Sequence, residues 1–216
     1  MIFRDRREAG RDLARALREA GESDGIVLGL PRGGVPVAFE VARELSLPLD
    51  IFVVRKLGVP GEPELAMGAV SSGGLIYINE VVVRAFRIRP ADIDAVVARE
   101  SSEVERRDLA YRAGRTALPL ADQTVIVVDD GLATGSTMMA AVRALRSRAR
   151  RIVVAVPVAP PATCEEIRRE AVTVVCLSTP ELFHAVGEFY REFNATSDAE
   201  VTLLLGQARG RYPSRA

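Results

Sequence analysis

Short apolar runs recur along the chain, most of them closed by glycine, proline or acid, and between them apolar residues return every third or fourth position. The runs are GIVLGL at 25–30, LDIFVV at 49–54, TVIVVDD at 124–130, RIVVAVPVA at 151–159 and VTVVCL at 172–177. They do not alternate with polar residues, which predicts strands covered on both faces, as in a parallel sheet. Ala9, Leu13, Ala16, Leu17 and Ala20 share one helical face and predict an amphipathic helix over 7–20 that stops near Gly21. Ala38, Val41, Ala42 and Leu45 predict a helix after PRGG (31–34), and Met138, Ala141, Val142 and Leu145 predict another after the run ending in Asp129 and Asp130. Strand, helix and strand in so short a span is a βαβ unit. The fold class is therefore α/β: a Rossmann-like parallel β-sheet flanked by helices, with ligands expected beyond the carboxyl ends of its strands.

The middle of the chain breaks the pattern. Arg55 to Met67 (RKLGVPGEPELAM) holds two prolines, two glycines and mixed charge, which predicts a mobile loop. GAVSS and LIYIN (68–79) flank Gly73-Gly74 as a hairpin would. Asn79 suits the cap of a short helix, and Pro90 the first turn of a long one reaching about Arg112. That helix is charged, with a thin apolar stripe of Ile93, Val96, Val97, Val104 and Leu109, so one face is expected in solvent. Thr163 with Glu166, and Ser197 with Glu200, have the spacing of capping boxes for two later helices. A single domain over 1–216 is expected, its part from about 180 onward forming a helical tail or hood.

Composition narrows the function classes. Lys plus Arg and Asp plus Glu number 29 each, so no global basic field argues for nucleic acid. No run approaches 18 apolar residues, so no membrane span is expected. The charged start, MIFRDRREAGRD, lacks the apolar core of a secretory signal, and a cytoplasmic location is expected. Cys164 and Cys176 are too few for a disulfide framework or a cysteine zinc site and read as small core residues. His184 stands alone and cannot form a metal cluster, so it reads as a surface or packing residue. Phe189, Tyr190 and Phe193 suit packing of the tail helix or a homodimer interface better than stacking of a base.

The chemistry concentrates at VIVVDDGLATGSTMMAA (125–141). Asp129 and Asp130 stand side by side at a strand's carboxyl end and repel each other, which predicts a neutralising partner from outside the chain. Ala133, Thr134, Gly135, Ser136 and Thr137 follow at a helix N-terminus, where unpaired backbone N–H groups and the helix dipole make a phosphate cradle. Two carboxylates beside such a cradle suit a ligand with a phosphate and a vicinal diol, a ribose 5-phosphate. In PRGG, Gly33 and Gly34 remove side chains so that backbone N–H groups can face a diphosphate, and Arg32 adds a fork of donors. A nucleotide-hydrolysing strand ending in two aspartates would require a GxxxxGK[ST] loop, which the sequence lacks.

VIVVDDGLATGST resembles the phosphoribosyl diphosphate (PRPP) signature of the type I phosphoribosyltransferases. LPRGG stands where that family carries its diphosphate loop, often with a cis peptide, and RK at 55–56 ends the second strand as in the adenine enzymes. Ala133 occupies the place where 6-oxopurine enzymes carry an acid. FRDRREAG, LPRGGVPVA, VVRKLGVPGEPELAMGAV and AVGEFY together resemble a group of bacterial stand-alone phosphoribosyltransferase-domain proteins, so the resemblance covers nearly the whole chain. It implies a Mg²⁺-dependent transferase, as in nucleotide salvage, that passes the phosphoribosyl group of PRPP to a nucleobase or related nitrogen acceptor. In that scheme Asp129 and Asp130 hold the ribose hydroxyls, Ala133 to Thr137 the 5-phosphate, and Arg32, Gly33, Gly34, Arg55 and Lys56 the diphosphate. Mg²⁺ is held mainly by PRPP oxygens and water, without protein ligands. The loop over the substrate brings Lys56 to the leaving group and Glu62 or Glu64 to the acceptor. A non-catalytic PRPP sensor would keep the same phosphate sites and lack the acceptor site.

Overall fold

The computed structural model describes residues 1–170 and 172–211, apart from the side chains of residues 64, 210 and 211. The apolar runs form a parallel sheet of β1 (Ile26–Gly29), β2 (Leu49–Ile51), β6 (Thr124–Val128), β7 (Arg151–Val158) and β8 (Thr173–Ser178), in the order β2-β1-β6-β7-β8. Strand residues alternate between two cores. Val27, Ile126, Val128, Val153 and Ala155 face one, and Ile26, Leu28, Val125, Val127, Ile152 and Val154 the other. The first core is covered by α1 (Arg6–Glu19), α2 (Gly34–Leu45), α4 (Pro90–Arg112) and α7 (Asp198–Arg211); α5 (Ser136–Leu145) and α6 (Pro161–Arg168) cover the second. With both faces buried, neither could alternate with polar residues, which is why the strands read as continuous apolar runs. Helix α1 crosses α2 at Gly10, where a Cβ would stand 2.6 Å from the Val37 carbonyl oxygen.

Residues 55–67 are not a loop. They lie in an antiparallel hairpin of β3 (Val54–Val59) and β4 (Glu62–Ser71), which β5 (Leu75–Ile78) extends to three strands. The breakers sit where a hairpin tolerates them. Pro60 and Gly61 make the turn, and Pro63 falls where pairing jumps from Val59↔Glu62 to Gly58↔Ala66, so no ladder bond requires its missing N–H. Gly58 is squeezed there, its Cβ position 2.7 Å from the Pro63 carbonyl oxygen. The second strand also stops earlier than its apolar run: Phe52 and Val53 lie outside it, and Val53 N–H donates to Ser72 Oγ at 3.0 Å as the chain crosses between sheets. Arg55 and Lys56 therefore begin β3 rather than end β2.

Asn79 caps α3 (Glu80–Ala85), accepting from the Val81 and Val82 N–H groups, and Pro90 opens α4. Leu109 is 69% exposed, outside the buried stripe of α4, which turns Val96, Glu100, Val104, Tyr111 and Arg112 inward instead. Thr163 is not a cap. Helix α6 starts at Pro161, and the Thr163 hydroxyl donates to the Ala133 carbonyl at 2.9 Å. Ser197 Oγ does accept from the Glu200 N–H at the start of α7. The hood is built from residues 186–194 pairing with the N-terminal segment: Phe3 N–H donates to the Phe189 carbonyl at 2.8 Å and Arg191 N–H to the Phe3 carbonyl at 2.9 Å. Tyr190 and Phe193 stack at 5.0 Å and Tyr190 packs on Phe3 at 5.5 Å, so these aromatics bind the chain's start rather than its tail helix.

A buried ionic knot fixes the edge of the parallel sheet. Asp50 Oδ1 accepts from Arg112 Nη1 at 2.5 Å and from the Ile51 N–H, Oδ2 accepts from the Leu118 N–H at 2.8 Å, and Arg112 also donates to Asp108 and Ile51. Removing one partner of a buried pair strands the other's charge, so Asp50→Ala should lower unfolding free energy by about 3–5 kcal/mol in urea titrations; a loss below about 1 kcal/mol would contradict a burial-sensitive pair.

Glu40 between α1 and α2 has the opposite character. Its side chain is fully buried, and Arg43 reaches Oε2 at 2.5 Å without the alignment of a hydrogen bond. Burial, outweighing Arg43, Arg11 and Arg7, raises its pKa. A carboxyl raised on folding stabilises below its unfolded pKa and loses that contribution as pH rises through the folded value. Glu40→Gln should therefore gain melting temperature relative to the parent as pH rises from 4 to 8, and a pH-independent difference would contradict this.

Candidate functional site

Strands β1 and β6 are hydrogen-bonded neighbours, so the loops leaving their carboxyl ends lie side by side. Leu30 N–H donates to the Val128 carbonyl at 2.9 Å, and the next peptide but one, Pro31–Arg32, is cis. The loops then close on each other. A Cβ on Gly33 would fall on the Asp130 carboxylate, and one on Gly34 would stand 2.7 Å from the Val128 carbonyl oxygen and 2.8 Å from Asp129 Cα. Glycine is required at both positions by this approach, not by φ, which is −59° at Gly33.

Beyond Asp130, Gly131 passes Val186 of the hood, its Cβ position 2.6 Å from Cγ1. Ala133, Thr134, Ser136 and Thr137 are exposed, whereas Gly135 is buried in the left-handed region at φ +69°. A Cβ on Gly135 would stand 2.7 Å from Thr163 Cγ2, so Thr163 braces the loop by its methyl group there and by its hydroxyl at Ala133. Thr134 Oγ1 and Ser136 Oγ are 3.0 Å apart, and α5 begins at Ser136 with its first-turn N–H groups directed into the loop. The loop thus presents hydroxyls, N–H groups and a helix N-terminus at one place. It borders a cavity of about 310 Å³ that is also lined by Leu65 and Ala66 of β4 and Tyr77 of β5.

The partner of the carboxylates lies within the chain, not outside it. Arg6 Nε donates to Asp130 Oδ2 at 2.8 Å, with the two side chains 12% and 13% exposed. Burial, and then the Asp130 charge, hold the Asp129 carboxyl well above the usual carboxylate range, while Asp129 Oδ1 accepts the Asp130 N–H at 2.9 Å. The Arg6 guanidinium thus offsets the repulsion between the two carboxylates from the Asp130 side.

The basic residues are less gathered. Arg32 lies 3.8 Å from Asp198 at the start of α7, and both side chains are largely exposed. Arg55 Nε pairs with Glu100 Oε2 of α4 at 2.5 Å, on the face of β3 that carries Leu57 into the first core. Strand alternation turns Lys56 to the other face, with Val54, which packs against the second core. Arg55 and Lys56 are therefore separated by the strand, and only Lys56 is on the side of α5. Glu62 is exposed beside the hairpin turn, and the Glu64 side chain lies outside the described residues. His184 is exposed, Cys164 is buried, and half-buried Cys176 donates to the Ser178 carbonyl.

Sequence reasoning missed Arg6, Thr163 and Tyr190, whose hydroxyl donates to the Asp130 carbonyl at 2.6 Å. Arg6 left one legible trace: it occupies the first position of α1, immediately after the Asp5 cap, where the helix dipole disfavours a cation.

Comparison with known proteins agrees with this arrangement. The phosphoribosyl transferase domain family matches residues 4–194. A Mycobacterium tuberculosis H37Rv protein, provisionally named a phosphoribosyl transferase, is 48% identical over 208 residues, covering 96% of this chain and 47% of its own length. The chain thus spans about half the length of the curated relatives it matches. The crystal structure of TT1426 from Thermus thermophilus superposes with a TM-score of 0.89 at 42% identity, covering 96% of this chain and 99% of that one. A hypothetical protein from Neisseria gonorrhoeae, solved with ppGpp bound, shares the fold at a TM-score of 0.52 and 14% identity, covering 96% and 97% of the two chains. Family match, five-stranded parallel sheet and paired loops together place the chain in the phosphoribosyl transferase domain family, with the type I fold.

Proposed function

We propose that the chain transfers the 5-phosphoribosyl group of PRPP to a nitrogen acceptor, a nucleobase or related amine, with release of diphosphate. The observation that supports this reading is the interlock of the two loops: the Cβ position of Gly33 falls on the Asp130 carboxylate, so the PRGG loop meets the carboxylate pair that leads into residues 133–137. Asp130 and Asp129 accept the ribose hydroxyls. The N–H groups and hydroxyls of 133–137 hold the 5-phosphate, and the Gly33 N–H faces the diphosphate, while the Gly34 N–H is held by the Leu30 carbonyl at 3.1 Å. The acceptor nitrogen attacks C1 as the C1–O bond to diphosphate breaks, so negative charge grows on the leaving oxygen. Arg32 swings from Asp198 to meet it, Lys56 adds charge from the hairpin, and Glu64 takes the acceptor's proton. Arg55, held by Glu100, serves the hairpin's docking on α4 instead.

Among the described residues no group of three or more His, Cys, Asp or Glu could hold a metal ion. With Asp130 engaged by Arg6, the residues present fit a Mg²⁺ that arrives bound to PRPP oxygens and water, as part of the substrate. Its chemistry is neutralisation of the diphosphate.

The test is a screen of nucleobases and other amines with Mg²⁺–PRPP, following diphosphate release. Release that depends on one acceptor class is expected. Saturable PRPP binding without release for any acceptor would replace the transferase by a PRPP sensor.

A further inference from the structure

One side chain outside the two loops reaches the carboxylate pair, and it is held on several sides. Besides Asp130, Arg6 donates through Nη1 to the Asn194 carbonyl at 2.7 Å, and its guanidinium lies 3.9 Å above the Phe193 ring. Phe193 stacks on Tyr190, whose hydroxyl holds the Asp130 carbonyl. Asp130 is thus gripped by its carboxylate and its carbonyl at once, through α1 and the hood.

Resting on the phosphoribosyl reading above, we infer that Arg6 is a positioning residue that holds the Asp130 carboxylate as an oriented acceptor, and so gives the site its preference for a sugar phosphate bearing both ribose hydroxyls. A carboxylate beside another would turn away from it, and the charge-assisted bond from Arg6 fixes the Asp130 side chain in place instead. Arg6 takes Oδ2, which assigns the ribose hydroxyl to Oδ1. Hydrogen bonds to a carboxylate are roughly twice as strong as neutral ones when well aligned, so an Asp130 held in place discriminates strongly against a sugar lacking a hydroxyl. Arg6 also stands at the first position of α1, against the dipole, a placement that its partners at Asp130 and Asn194 offset.

The experiment is calorimetric titration of ribose 5-phosphate, 2-deoxyribose 5-phosphate and inorganic phosphate into the parent, Arg6→Met and Arg6→Lys. Methionine keeps the stem over Phe193 and removes the charge. The parent should prefer ribose 5-phosphate over its deoxy analogue by about tenfold or more, and Arg6→Met should cut that ratio to about threefold or less. Inorganic phosphate should bind all three proteins within about twofold, because the cradle is untouched. Arg6→Lys, which restores charge, should recover a ratio above that of Arg6→Met. An unchanged ratio in Arg6→Met, or equal weakening of all three ligands, would overturn the assignment of Arg6 alone. A parent protein that bound neither sugar phosphate would overturn both this inference and the phosphoribosyl reading.

Discussion

Replacing Gly135 by valine should abolish binding of PRPP and of ribose 5-phosphate together, by about 100-fold or more, while the protein stays folded. Two independent effects converge at this residue. Its backbone is in the left-handed region at φ +69°, where a β-branched side chain is a genuine outlier. Its Cβ would also meet Thr163 Cγ2 at 2.7 Å, and Thr163 cannot retreat without loosening its hydrogen bond to the Ala133 carbonyl. The clash is thus transmitted to both ends of the cradle. The N–H groups at the start of α5 must converge on one phosphate, and a shift of about 1 Å is enough to separate them. The fold should survive, because Met138, Ala141, Val142 and Leu145 still anchor α5 in the second core. Melting curves with and without ribose 5-phosphate check both halves. Undiminished protection of the variant by the ligand would mean that the phosphate binds elsewhere.

Asp130→Asn should have the next largest effect. Charged hydrogen bonds contribute roughly 1.5–3 kcal/mol each, so neutralising the acceptor should weaken PRPP by about tenfold to 100-fold. The cost reaches beyond the ligand: Arg6 is 12% exposed and would keep its charge with only an amide oxygen and the Asn194 carbonyl as partners. Asp130→Asn should therefore also lower the melting temperature, and by more than Asp129→Asn, since Asp130 is the carboxylate paired with Arg6 and burial raises the Asp129 pKa. If Asp129→Asn destabilised the protein more than Asp130→Asn, the charge would reside on the other carboxylate.

The parallel sheet and its helices were legible because burial on both faces writes a simple pattern: continuous apolar strands, then helices with 3.6 periodicity. The loops of the site were legible for a related reason. Gly33, Gly34 and Gly135 each mark a close approach, and a glycine next to a carboxylate pair or a helix start is a local signal. Residues 55–67 misled because Pro and Gly suit loops, whereas a turn at Pro60-Gly61 and a bulge at Pro63 place the same residues within a hairpin. Thr163 and Glu166 misled in the same way: the spacing of a capping box is present, but Pro161 starts the helix two residues earlier and frees Thr163 to hold Ala133. Arg6 could not have been paired with Asp130 by any local rule. The two are 124 positions apart, and tertiary packing of α1 on α2, with the pairing of Phe3 to Tyr190, brings the start of α1 to the end of β6.

The most direct test is a crystal structure of the protein soaked with Mg²⁺–PRPP. The 5-phosphate should lie against the N–H groups and hydroxyls of residues 133–137, the ribose hydroxyls on Asp129 and Asp130 with Arg6 still on Oδ2, and the diphosphate at Gly33 and Gly34. PRPP bound instead in the cavity of about 640 Å³ beside Asp50, Asp108 and Arg112, with the two loops empty, would contradict this placement and the transferase reading built on it.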